Sequence, residues 1–446
     1  MARELNNEDG GAVIPPWVFF VVTFLLSFAP SQPYLTTYLE KVQNFEENDL
    51  NSIVWPASTY SMFVLVIPIG IFASRHPSLS CLVGIVSRII VCLILLLCSS
   101  ILSMIVAEIC YAFFLLSDSV VLVSMAVMHS GNEDQYAYLA SGINFSREVA
   151  LVLSALFGQL FFEKISGSNL SSLKYLFVMS LIASILALVW YCVFVTTPLG
   201  RRGRRRDEPP LNASDNSSPP AGIVSSSSPH SITSICSLSS LSEWRRSIFV
   251  YVLALSFSFA AFVTAADYNF MLLVPRSDSN LGLIVAGLDT FGAIGAASAG
   301  FFFSERKEGG LLAVLLCCLV GGGSYFVLYW YGEEGKYSLL VAFTIVPWAC
   351  YQTLRTLITI FISRTIGQKN SDRLPIILSL STLLGLGLAS CAQGVASLCG
   401  GSTQGYFLAC VIFEAFVSCG LLIVIATNFI GAEQKDYVLL DVLVDR

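Results

Sequence analysis

Twelve long apolar runs divide the sequence, at about 14–39, 52–74, 79–100, 102–128, 136–162, 173–197, 247–273, 281–304, 310–331, 337–363, 374–398 and 405–430. A helix crossing roughly 30 Å of hydrocarbon needs about 20 predominantly apolar residues, and each run has that length. Hydrocarbon offers no water to backbone N–H and C=O groups, so each run must satisfy its own as a helix. Only 12% of the residues are charged, against about 25% in a soluble domain, and the mean hydropathy is +0.75. The expectation is an all-α membrane protein of twelve transmembrane helices in two six-helix bundles. The first run, from Ile14, lacks a basic leader and a small-residue cleavage site, so it reads as the first helix.

Orientation follows from where the positive charges fall between the runs. With the N-terminus inside, the inner segments carry sixteen Lys and Arg, including Arg75, the cluster Arg201, Arg202, Arg204, Arg205 and Arg206, and Arg364. The outer segments carry five: Lys41, Lys164, Lys174, Arg276 and Lys336. Both termini are therefore expected in the cytoplasm, with the plasma membrane as the expected location. Residues 198–246 open with the Arg cluster and continue in Pro, Ser and Asn, a composition that cannot bury a core. The organisation read from this is a short N-terminal segment (1–13), a six-helix bundle (14–197), a disordered cytoplasmic loop (198–246), a second bundle (247–430) and a tail (431–446). The Arg cluster beside a helix end reads as an anchor on the anionic inner leaflet rather than a nucleic-acid site. Asn169-Leu170-Ser171 lies in an outer loop, which makes Asn169 a candidate for glycosylation. Tyr437-Val438-Leu439-Leu440 resembles a sorting signal.

Several chemistries find no support. The thirteen cysteines lack metal-binding spacing, most lie inside apolar runs, and only three His are present. No phosphate-binding glycine loop follows a strand, so neither ATP-driven transport nor a nucleotide cofactor is indicated. Neither a nucleophile nor any other cofactor site points to an enzyme. Gly292, Ala296 and Gly300, with Gly295 and Ala299 beside them, form a small-residue stripe suited to close helix packing. Pro30, Pro33, Pro68 and Pro347 interrupt apolar runs, as in transporters whose helices bend.

Charged groups within a bilayer cost about 2.5–3.5 kcal/mol each on insertion scales, so those retained mark a cavity or a partner. Here they are Arg88, Glu108, Asp118, Arg147, Glu148, Asp267, Asp289, Arg355 and Glu414. Glu108 and Asp118 share the fourth run, ten residues apart, with Tyr111 one turn from Glu108. Two carboxylates and a phenol suit a cationic or hydrogen-bonding substrate; equally, each acid can pair with Arg88 or Arg147 and tie helices together. Arg147 beside Glu148 reads as structural pairing. Arg88, Asp289 and Arg355 are open to pairing or coupling roles. Asp267 and Glu414 read as groups near helix ends.

The first run contains Pro30-Ser31-Gln32-Pro33-Tyr34-Leu35-Thr36-Thr37-Tyr38-Leu39, which resembles the Pro-x-Glu-Pro-[FY]-[LI]-x-x-Tyr-Leu signature of the reduced folate carrier and thiamine transporter family. The similarity continues through Asn44-Phe45, Asn51, Thr59-Tyr60-Ser61 with Pro68, Glu108-Ile109-Cys110-Tyr111 and Gly158-Gln159-Leu160. It extends more weakly to Thr290-Phe291-Gly292-Ala293 and Tyr351-Gln352. The resemblance implies a major-facilitator-type fold, two bundles rocking about a midplane site, and secondary transport of folates or thiamine. Folate carriers are expected to place basic residues where this chain has Asp118, Trp348 and Ala389. Thiamine-type members carry an acid where Asp118 stands, and Glu108 and Tyr111 match positions that contact thiamine there. This chain departs from them at Ala29, Gln32 and Ser58, with Trp55 one turn from Ser58, and it lacks their third-helix tryptophan. The resulting substrate-site candidates are Glu108, Tyr111, Asp118, Gln32, Trp55, Tyr60 and Trp348. Arg88, Arg147, Glu148, Asp289 and Arg355 are candidates for coupling or intramembrane pairing. A thiamine-like vitamin is the expected substrate, with folate or another small organic solute as alternatives, a proton as a possible coupling ion, and a non-transporting receptor as the reading from another class.

Overall fold

The computed structural model describes residues 14–46, 49–128, 133–165, 170–196, 246–273, 281–303, 309–331, 337–366, 368–398 and 403–444. The loop of 198–246, save Arg246, and Asn169 lie outside the described residues, as does the side chain of Asp267. Twelve helices long and apolar enough to cross a membrane are present among the described residues. They are α1 (Pro16–Lys41), α2 (Trp55–Arg75), α3 (Pro77–Leu97), α4 (Ile101–Ala126), α5 (Gln135–Glu163) and α6 (Leu173–Val195), followed by α7 (Ile248–Ala265), α8 (Gly282–Phe301), α9 (Gly310–Tyr331), α10 (Val341–Ile366), α11 (Ser371–Gln393) and α12 (Gly405–Ala426).

The helix ends follow local chemistry. α1 is not continuous: a regular helix ends at Ser27, a short tight turn covers Gln32–Tyr34, and regular helix resumes at Leu35. Pro30 and Pro33 lack the amide hydrogens a continuous ladder needs and push the residues before them out of helical geometry. Pro68 and Pro347, by contrast, sit within uninterrupted α2 and α10. The short gap between α3 and α4 is closed by a reciprocal cap, in which the Ser103 amide donates to Ser100 Oγ and the Ser100 amide donates to Ser103 Oγ. Helical backbone continues from α12 to Val444, through the segment that the sequence reads as a tail.

Two bundles result. In the first, α1 packs on α5 and α6, α4 on α2 and α3, and α3 on α6. In the second, α7 packs on α10, α11 and α12, and α10 and α12 pack on α9. The bundles meet where α5 contacts α8 and α10, and where α2 contacts α11. Large apolar side chains such as Leu102, Leu186, Val189, Leu316, Phe416 and Ile423 face outward, a surface suited to lipid and not to water.

Glycine sets the closeness of the α5–α8 seam. A methyl group at Gly282 would meet Gln159 and the Ala155 carbonyl, and at Gly300 it would overlap Ser141. At Gly292 it would sit 2.7 Å from Glu148 Oε2, and at Gly295, which faces α10 instead, 2.7 Å from the Ala349 carbonyl. The small-residue stripe of α8 thus serves packing on two sides.

Candidate functional site

A buried polar network crosses the protein where the bundles meet. Asp118 sits in a π-helical turn, Ser117–Val121, that interrupts α4. Such a turn shifts the phase of the side chains that follow it, and π-turns often mark functional positions. Arg147 on α5 donates from Nε to Asp118 Oδ2 at 2.7 Å and from Nη2 to the Asp118 carbonyl at 2.9 Å. Its Nη1 donates to Asn144 Oδ1 at 2.9 Å, one turn back on α5. Asn144 Nδ2 then donates across the seam to Thr356 Oγ1 on α10 at 2.9 Å, and Thr356 donates to the Gln352 carbonyl at 2.8 Å. The chain from Asp118 to Thr356 joins α4, α5 and α10.

This corrects the expected pairing of Arg147 with its neighbour Glu148. Adjacent helical residues point about 100° apart. Arg147 therefore turns into its own bundle while Glu148 faces α8. Glu148 is 1% exposed, and its Oε2 has no hydrogen-bond partner. A Cβ at Gly292 would lie 2.7 Å from that oxygen and 3.2 Å from the indole Nε1 of Trp348, which is itself without a partner. The carboxylate and the indole therefore converge on one spot over α8. Asp289, one turn earlier on α8 and 3% exposed, lies in the field of Glu148. Arg355, half-buried on α10, lies in the field of Arg147, Asp118 and Glu148 and forms no ion pair with a described residue.

Glu108, Tyr111 and Arg88 make a second group beside the first. The Arg88 guanidinium lies over the Phe114 ring at 4.8 Å and the Tyr111 ring at 5.6 Å. Ser58 on α2 faces Glu108. Tyr111 lies in the fields of Glu108, Arg88 and Asp118, which places it between the two groups. Asp118 also lines a small cleft with Leu26, Gly84, Ile85 and Phe114, and its Oδ1 is buried without a partner.

Of the other candidates, Trp55 packs in an apolar cluster with Tyr34, Tyr38, Met104 and Phe177, against which Tyr111 also packs, and Gln32 and Tyr60 are exposed. Glu414 is not at a helix end: it is buried in the second bundle, where Ser258 donates to it at 3.3 Å. Asn144, Thr356 and Gln352 were not singled out by charge, although Asn144 lies three residues from Arg147, on the same helical face. Gln159 is a further junction, accepting from Tyr34 OH and from the Gly282 amide, both at 2.9 Å, so that α1, α5 and α8 meet on one oxygen.

The sequence pattern of the reduced folate carriers matches residues 16–397. The chain belongs to the reduced folate carrier family. A folate-like transporter of Dictyostelium discoideum is 31% identical over 144 residues, 32% of this chain, and the match spans a quarter (25%) of that relative's length. In three dimensions the chain is similar to the E. coli fucose:proton symporter FucP, with a TM-score of 0.62 at 14% identity over 93% of this chain and 99% of that one. It is also similar to the human organic anion transporter MFSD10, with a TM-score of 0.60 at 14% identity over 92% and 98% of the two chains. The reduced folate carrier chain thus has the major-facilitator fold of a multi-pass membrane transporter, and neither its family nor these neighbours are enzymes.

Proposed function

We propose that this member of the reduced folate carrier family is a secondary active transporter of a B vitamin, thiamine-like in charge, working by alternating access. The observation that carries this reading is the charge balance of the buried centre. Asp118 is matched by Arg147. Glu108, Glu148 and Asp289 then stand against Arg88 and Arg355, leaving one carboxylate in excess where the bundles meet. An uncompensated buried charge is costly, so an organic monocation entering the site is favoured over a folate dianion. The resemblance of Glu108, Tyr111 and Asp118 to thiamine-type positions supports the same choice. Asp118 acts through Arg147, holding the α4–α5 wall of the site, while Glu108 and Tyr111 are the contacts for the ring, with Trp348 closing the site from α10. Trp55 backs Tyr111 from the apolar cluster that both pack against, and Gln32 and Tyr60 are further contacts in the same proposal. When the cation is absent, a coupling proton can take the excess carboxylate of the neighbouring Glu148 and Asp289, so that cation and proton alternate at the site. Plasma-membrane location, cytoplasmic termini and glycosylation at Asn169 are part of the same proposal.

The test is uptake of labelled thiamine and labelled folate into cells expressing the full chain. Saturable thiamine uptake that unlabelled thiamine displaces better than folate is the expected result. Absence of saturable uptake of either compound refutes the reading. A second reading, transport of folate or another organic anion, draws on the guanidiniums of Arg88 and Arg355, which pair with no described carboxylate. Competition by folate, pyridoxine and thiamine at two pH values separates the two.

A further inference from the structure

Arg88 differs from the other guanidinium held wholly within the first bundle. Arg147 makes three hydrogen bonds, to Asp118 and Asn144. Arg88 is 8% exposed, donates no hydrogen bond to any described residue, and its Nε is buried without an acceptor. What it has is a flat bed: the faces of Phe114 and Tyr111, one turn apart on α4. Stacking holds a guanidinium plane in place and leaves its edge, with the donors, directed elsewhere. Glu108 lies within its field, one turn beyond Tyr111, and no ion pair closes between them. A cation from α3 and an anion from α4 are therefore held along the same stretch of α4, each unmatched at close range, with a phenol between.

Resting on the transporter reading above, we infer that the Arg88 guanidinium is a recognition site for an oxyanion group on the substrate, so that the preferred substrate is a zwitterion: a cationic ring toward Glu108 and Tyr111 and a carboxylate or phosphate toward Arg88. A planar guanidinium with a free edge accepts either oxyanion in a forked geometry. A plain cation leaves Arg88 unmatched, and a plain dianion leaves Glu108 unmatched. The zwitterion meets both groups at once and leaves the carboxylate excess with Glu148 and Asp289, where the coupling proton can take it.

The experiment measures ligand-induced thermal stabilisation of the purified full chain with matched pairs. Thiamine is compared with thiamine monophosphate, and 1-methylnicotinamide with trigonelline, its carboxylate counterpart. The expected result is that at least one zwitterion binds roughly 10- to 100-fold more tightly than its cation. The phosphate and carboxylate arms show which oxyanion is meant. Arg88→Gln is expected to erase that preference while the plain cation binds at least as tightly as to wild type, since one positive charge beside Glu108 is gone, and Arg88→Lys to retain part of the preference. Arg88→Gln without ligand is expected to melt at or above the wild-type temperature, since it removes an unmatched buried charge. Equal or absent binding within both pairs overturns the inference, and so does an Arg88→Gln protein that loses cation and zwitterion alike or melts well below wild type. Labelled thiamine uptake is read separately in cells: its absence refutes the thiamine reading, whereas the ratio within each pair decides the role of Arg88.

Discussion

Removing Asp118 tests the centre most directly. Its carboxylate is the sole ion-pair partner of Arg147 among the described residues, at 2.7 Å and buried on both sides. Truncation by Asp118→Ala leaves the guanidinium in the interior with only the Asn144 oxygen and one backbone carbonyl. Breaking one side of a buried pair costs about 3–5 kcal/mol. Asp118→Asn keeps an oxygen for Nε and loses only the charge assistance, about 1–2 kcal/mol. The double variant Asp118→Leu with Arg147→Met removes both charges and returns stability to within about 1 kcal/mol of wild type. Unfolding of purified protein in detergent measures this series, at about 1 °C of midpoint shift per kcal/mol for a chain of this length. The expected order is Asp118→Ala lowest, Asp118→Asn intermediate, and the double variant close to wild type. An Asp118→Ala protein as stable as wild type, or a double variant no better than Asp118→Ala, refutes the assignment of the pair as the brace between α4 and α5. Uptake by the stable double variant separates bracing from function: uptake lost despite a wild-type midpoint places the pair in the transport cycle.

Three further outcomes follow from the seam and the second bundle. Gly292→Ala places a methyl 2.7 Å from Glu148 Oε2 and 3.1 Å from Trp348 Cδ1, and an overpacked site of this kind costs about 1–3 kcal/mol. Gly287→Ala, on the same helix with nothing within 4 Å, is the control and is expected to be neutral or to stabilise by up to about 1 kcal/mol in the same unfolding measurement. Gln159→Ala strands the Tyr34 hydroxyl and the Gly282 amide, at about 1–3 kcal/mol for each donor left dry, and Gln159→Glu, which keeps the accepting oxygen but turns the amide that donates to Glu163 into a second carboxylate, is expected to recover only part of the midpoint, and more of it at low pH. Glu414→Gln keeps an acceptor for Ser258 and removes a carboxylate that has no cation partner among the described residues, so its midpoint and uptake are expected to stay within about 1 kcal/mol and twofold of wild type.

The sequence reveals the helices and the charged positions, and it leaves their partners undetermined. Hydropathy marks all twelve spans because the bilayer imposes one requirement on every residue of a run. The break in α1 is legible from Pro30 and Pro33 because proline acts locally. The Arg147–Asp118 pair is legible only as one alternative among several, because the choice depends on how α4 and α5 are rotated against each other, and the π-turn at Ser117–Val121 changes that rotation by an amount hydropathy does not encode. Asn144 and Thr356 carry no charge and lie 212 residues apart, so nothing in an apolar run distinguishes them from ordinary helix-packing polar groups. Glu414 misleads for the opposite reason: its burial comes from α7 and α9 closing over it, as the contacts at Ser258 and Gly322 show, and not from its place along the run.

The strengths of these bonds divide the protein into what stays together and what parts. Within the first bundle, the Asp118–Arg147 pair is worth about 3–5 kcal/mol against losing either member. Across the seam, the link from Asn144 to Thr356 is a neutral hydrogen bond, worth about 0.5–1.5 kcal/mol net. At Gln159 the crossing is again one neutral bond, from the Gly282 amide, beside an equally neutral bond from Tyr34 of the same bundle. Glu148 and Trp348 face each other across the seam without closing a bond at all. Motion of one bundle against the other therefore costs little at each polar crossing and leaves the ion pair intact. Asn144 holds Arg147 with its oxygen and Thr356 with its amide, so that only the weaker of its two bonds spans the plane along which the proposed rocking separates the bundles.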